Sequence, residues 1–278
     1  MVENDSASEV YFDYVSAEVL GEICSKTGRV RTDDASLSEN VSPFFKKFNF
    51  TDIILFQKAG KTEQNEGEGI CSSLFETGRP VSGRPVHGRP VRYHKGIEIE
   101  ADNENTLYSL IRKERPDADF LTVRSSDEKI IRAAAESPDV DAVIPVSNNS
   151  QKPVAGPINH IVAKFAAGRK TAFAFDMAPF LFVKGYRRSK LFADAAEMIL
   201  VLRKYNVPIL LFSGAGSFFE QRGPYELEAF GRLLGLTREE TTAAVSTIPA
   251  GILRMRQKQK SGIQIMAGVE VLNENDFE

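Results

Sequence analysis

Histidine, the side chain around which most hydrolytic metal centres are built, is scarce in this sequence, with only His87, His94 and His160 present. A metal centre that activates water gathers several imidazoles and carboxylates around its ions. No H-x-H pair occurs, and His87 and His94 fall in a proline-rich stretch far from His160, so a histidine-built multinuclear centre is not expected. His160 follows Asn159 at the start of a helical pattern, where a packing or helix-start role competes with contact to a partner. Asp176 closes a predicted strand, which is where barrel enzymes place catalytic carboxylates. With no imidazoles beside it, a structural hydrogen-bonding role is the better reading.

Cations offer a different chemistry, the neutralisation of phosphates. Arg124 sits at a predicted strand end, and Arg132 lies eight residues on, about two helical turns away. Arg187, Arg188 and Lys190 form the tightest cluster, at the entry to a long helix. Positive charge there opposes the helix macrodipole, which hints at a purpose other than stability, although a solvated face is the plainer alternative. Arg222 follows SGAGSFFEQ in a predicted loop, where a carboxylate partner would be the ordinary explanation. The run RMRQKQK at 254–260 reads equally as a grip on a phosphate backbone or as a soluble end cap. GAG at 214–216 lacks the Gly-Lys-Ser/Thr of a phosphate-cradling loop, and a tight turn explains it better. Phe44-Phe45 and Phe218-Phe219 are expected in the core rather than stacked on bases.

Over 278 residues, 35 basic side chains face 38 acidic ones, so the whole-chain field gives no reason to expect a nucleic acid partner and any such contact must be a local patch. Cys24 and Cys71 are far apart, which suggests neither a disulfide framework nor a zinc knuckle. The acidic start MVENDSASEV is unlike a secretory signal, and runs such as MILVL at 198–202 fall well short of the roughly 20 residues a membrane helix needs. A cytoplasmic protein is expected.

These residues have to be positioned by alternating strands and helices. From about residue 119, apolar runs at 119–123, 141–146, 171–177 and 209–213 alternate with helical patterns, the rhythm of a parallel α/β sheet. Ser125 and Glu128 have capping-box spacing at one helix start, and Thr237 and Glu240 at another. A helix over 157–167 is expected to end at Gly168, and another from Pro224 at Gly235. The helix predicted over 189–205 carries Leu191, Phe192, Ala195, Ile199 and Leu202 on one face. Pro249 opens a last basic helix, and QIMAGVEVL at 264–272 adds a strand or a tail. Earlier, 10–15 and 52–56 read as the first two strands, with an amphipathic helix over 38–48 between them. Residues 60–103, with GRPV three times, read as an exposed basic insertion carrying Arg79, Arg84, Arg89, Arg92 and Lys95.

The stretch VRSSDEKIIRAAAESPDVDAVIPV at 123–146, followed in order by INHIVAKFAA, FDMAPFL, GYRRSKLF and LRKYNVPILLFSGAGSFFEQRGPYEL, resembles the ribonuclease P protein component 3 family. The match is good over about 119–255, weak over 10–57 and missing over 60–103. It implies one distorted TIM-like (β/α) barrel, residues 1–278, related to the polymerase and histidinol phosphatase superfamily. It also implies a subunit that binds and activates the ribonuclease P RNA for removal of 5′ leaders from precursor tRNA, with protein component 2 as partner. On that reading the chain has no catalytic residues and binds no metal, Mg²⁺ being held with the RNA. Arg124, Arg132, Arg187, Arg188, Lys190 and Arg222 are then the candidate RNA-binding residues. The competing readings are a stand-alone metal-dependent phosphoesterase of the related barrels, or a small-molecule barrel enzyme using Asp176 or Arg124.

Overall fold

In the computed structural model of the chain, the described residues are 11–16, 19, 50–59, 91–146, 158–261, 264–266 and 269–270. Seven strands form one all-parallel sheet in sequence order: β1 (Phe12–Ser16), β2 (Asp52–Lys58), β3 (Arg92–Ile99), β4 (Phe120–Ser125), β5 (Ala142–Pro145), β6 (Ala172–Asp176) and β7 (Ile209–Phe212). The sheet curls until its edges meet. Ser16 N–H donates to the Ala215 carbonyl at 3.0 Å, and Val15 bridges Ala215 in parallel register. Around it lie α1 (Glu104–Glu114), α2 (Glu128–Glu136), α3 (His160–Arg169), α4 (Ala178–Phe182), α5 (Gly185–Lys204), α6 (Pro224–Leu233), α7 (Arg238–Val245) and α8 (Thr247–Lys260). A short antiparallel pair, β8 (Gln264–Met266) and β9 (Val269–Glu270), follows. The expected TIM-like barrel is thus present.

Alternation along each strand builds two cores. Val15, Ile53, Leu55, Leu121, Val123, Val143 and Phe173 pack outward under the helices. Phe12, Tyr14, Ile54, Phe56, Phe120 and Phe212 point into the barrel, opposite the small Ala142, Ala172 and Ala174. Tyr14 stacks on Phe56 at 4.3 Å between ring centroids, and Phe120 meets Phe212 edge-on at 6.3 Å. This large-against-small division fills the interior. Gly96 belongs to it, because a Cβ there would come within 2.8 Å of Ile54 Cγ2.

The N-terminal end of the barrel is plugged by α8, whose Ile252 and Leu253 enter the interior cluster. Arg256 Nε meets Asp141 at 2.5 Å and its Nη2 donates to the Pro138 carbonyl, while Lys260 pairs with Asp119 at 2.7 Å. Two cations of the RMRQKQK run therefore hold the floor of the barrel, and Arg254 remains exposed.

Several expectations need correction. Residues 92–99 of the expected insertion form β3, and α1 begins at Glu104; residues 60–90 and the expected helix over 38–48 lie outside the described residues. β3 reads as polar because its inward residues His94 and Glu98 are partnered within the barrel. His94 Nε2 lies 2.9 Å from Asp52, and Arg92 pairs with the same carboxylate. The cap of α2 is Asp127, which accepts from Lys129 N–H, instead of Ser125. Gly168 lies inside α3, whose left-handed cap is Lys170. α5 starts at Gly185, a turn earlier than expected, and α8 at Thr247. The Thr237/Glu240 capping box and the left-handed Gly235 are as expected.

Candidate functional site

At the C-terminal mouth of the barrel, the last inward positions of β3, β4 and β6 are Glu98, Arg124 and Asp176. Arg124 Nε meets Glu98 Oε2 at 2.9 Å and Nη2 meets Asp176 Oδ2 at 2.6 Å, and both carboxylates are almost fully buried. Burial works against the Arg124 charge, but Asp176 and then Glu98 outweigh it and hold the proton more firmly. Burial pushes Glu98 up despite Arg124. Tyr14 completes the layer, with its hydroxyl 2.5 Å from Thr122 Oγ1 and donating to Glu98 at 3.4 Å. Burial, then Glu98, pushes that phenol well above the ordinary tyrosine range. Asp176 therefore serves as an ion-pair partner. Gly214 makes room for it, since φ is +60° and a Cβ would lie 2.6 Å from Asp176 Cγ. The tight turn expected for GAG is this one.

Beside the mouth, the seam between β1 and β7 is closed by a side chain. Asp13 accepts from Ser213 N–H at 2.8 Å, Ser213 Oγ at 2.6 Å, Tyr14 N–H and the Gln221 amide. Burial pushes its carboxyl up to about 7 against all four donors. Asp13, Glu98 and Gln221 were missed at the sequence level, where only an acidic residue inside an apolar strand, as in FDYV, could have flagged one of them.

The other cations fall elsewhere. Arg132, on the flank of α2, pairs with Glu136 at 2.8 Å and lies over the Phe165 ring. Arg222 donates to the Phe219 and Gln221 carbonyls, so backbone takes the place of the expected carboxylate. His160 is exposed at the first position of α3, capped by Asn159. Arg187, Arg188 and Lys190 are exposed on the first two turns of α5, and Arg188 lies over Phe192 at 5.9 Å. Among the described residues, neither Arg187 nor Lys190 has an ion-pair partner. The structure thus separates Arg124, which is internally neutralised, from the α5 cluster, which is open to a ligand. Among the described residues no group of three or more His, Cys, Asp or Glu side chains is placed to hold a metal ion, and the mouth carboxylates are already occupied by a guanidinium.

Fold and site together define a TIM-like barrel protein that uses its mouth for internal ion pairing and displays free cations on a helix outside it. The profile of the family described as RNase P subunit p30 matches residues 28–261, and the chain belongs to that family, the protein subunits of the tRNA-processing endoribonuclease ribonuclease P. Among curated relatives, ribonuclease P protein component 3 of Methanosarcina barkeri is 34% identical over 66% of this chain and 74% of its own length. The protein of the same name from Methanococcoides burtonii is 34% identical over 63% and 70%. A chain in a cryo-EM structure of archaeal ribonuclease P with mature tRNA superposes with a TM-score of 0.68 at 17% identity, covering 95% of this chain and 98% of that one. Among the described residues, no helix is long and apolar enough to cross a membrane.

Proposed function

We propose that this subunit binds and activates the catalytic RNA of ribonuclease P for removal of 5′ leaders from precursor tRNA, with the RNA-held Mg²⁺ performing the hydrolysis. The reading takes the RNA, precursor tRNA and protein component 2 as partners, and the cytoplasm as compartment. The observation that carries it is the exposed Arg187, Arg188 and Lys190 on α5, whereas the other candidate arginines, Arg124, Arg132 and Arg222, are already engaged within the protein. Cations without internal partners lower the repulsion between packed phosphates, and counterion release makes their contacts salt-sensitive.

The test is reconstitution of precursor tRNA cleavage with the RNA, with and without this chain and component 2, across Mg²⁺ concentrations. Rescue at low Mg²⁺ that requires both proteins is expected. Cleavage by the isolated chain would overturn the reading in favour of a barrel phosphoesterase.

A further inference from the structure

The corner between α4 and α5 differs from the rest of the surface in three ways. Residues 184–190 are seven consecutive exposed positions, covering the first two turns of α5 on every side. α5 is 20 residues, about 30 Å, whereas the five-residue β6 beside it spans only about 17 Å. Its buried residues, Ala195, Met198, Ile199 and Leu202, lie in the second half. Core packing begins at Leu191 and Phe192, so residues 185–190 extend beyond the contacts that hold the helix.

This corner also carries four cations, Lys184, Arg187, Arg188 and Lys190, and from Met177 to Ala193 the sequence has no acidic residue. Finally, two large rings stand open beside these charges, Phe182 at 64% and Tyr186 at 81% exposure. Among the described residues neither ring stacks on another aromatic. Isolated apolar exposure is common, but two open rings four residues apart within an acid-free cationic run are not explained by packing.

We propose that residues 182–190 form a binding surface for an unpaired segment of RNA, with Phe182 and Tyr186 stacking on bases and Lys184, Arg187, Arg188 and Lys190 meeting the flanking phosphates. The inference rests on the ribonuclease P reading above and names the RNA structure that this site takes. Charge complementarity selects a polyanion, and the rings select an unpaired one. Base faces are buried in an A-form duplex and become available in loops and single strands, where aromatic stacking contributes roughly 1–3 kcal/mol per base.

The experiment uses the full chain and compares its affinity for a mixed-sequence single-stranded oligoribonucleotide with that for a blunt duplex of equal length. Both side chains of the Phe182→Ala/Tyr186→Ala variant are exposed, so its thermal melting should match the parent. The expected result is a loss of about 30-fold or more in single-strand affinity, little change on the duplex, an unchanged salt slope, and partial recovery when Tyr186 is replaced by Phe instead of Ala. Equal loss on both RNAs, or no loss on either, would overturn the proposal. So would intact RNA binding with loss of association with component 2, which would make the corner a protein-docking surface. If this variant fails to discriminate while the parent chain still rescues cleavage at low Mg²⁺, only the present inference falls. If the parent chain does not rescue cleavage, the functional reading falls with it.

Discussion

Arg124 and the Arg187–Lys190 cluster are both cationic and both stand near the C-terminal ends of barrel strands, yet they are in opposite electrostatic states. Arg124 sits between two buried carboxylates, and its charge is spent inside the protein. The α5 cations are surrounded by solvent, and a run without acids leaves their charge available to a partner. The difference teaches that position at a barrel mouth does not make a cation a ligand-binding group; the placement of carboxylates decides it. Replacing the first should break the fold, and replacing the second should leave the fold and weaken binding.

The largest effect is expected at Arg124. Arg124→Met leaves Glu98 and Asp176 buried without a counter-charge, a change that costs about 3–5 kcal/mol in comparable buried pairs, and urea denaturation measures it. A loss under 1 kcal/mol would mean that the mouth is wetter and less coupled than these distances imply.

Next is the pH dependence of the seam. The Asp13 carboxyl lies near 7 in the folded chain, above the roughly 4 of an unfolded aspartate. The folded state therefore binds the proton more tightly, so this contribution is full below about pH 4 and is lost as the pH rises through 7. The stability difference between the parent and Asp13→Asn should shift against the parent over that window, by up to about 4 kcal/mol. A flat difference between pH 4 and 8 would show that the four donors hold the carboxylate ionised throughout.

Gly214→Ala should cost about 2 kcal/mol or more, because it combines a left-handed backbone with a clash against Asp176. A melting curve identical to the parent's would mean that the turn can relax without disturbing the Arg124 pair. The smallest stability effect belongs to the triple alanine variant of Arg187, Arg188 and Lys190, expected within about 0.5 kcal/mol of the parent.

How much of this was legible in the sequence follows the same division. β4 to β7 could be read because their apolar runs are buried on both faces, and α5 because Ala195, Ile199 and Leu202 recur at helical spacing. β3 could not be read, because a strand with His94, Glu98 and Gly96 pointing inward has the composition of a loop, and its polar residues are satisfied by Asp52 and Arg124 from other strands. The ion pairs at the mouth were lost for the same reason, since Glu98 lay in the stretch taken for an insertion. The α5 cluster was visible as composition. A solvated face was the plainer reading of that composition, but nothing local shows that the helix outruns its packing.

The proposal that RNA is met by the exposed α5 cluster, and not by the internally neutralised Arg124, is tested most directly by the salt dependence of affinity for ribonuclease P RNA. The slope of log affinity against log salt should become shallower by about 2–3 for the Arg187→Ala/Arg188→Ala/Lys190→Ala variant, one phosphate contact per lost cation at 0.7–0.9 each. An unchanged slope in that variant would contradict the account and send the RNA interface elsewhere on the barrel.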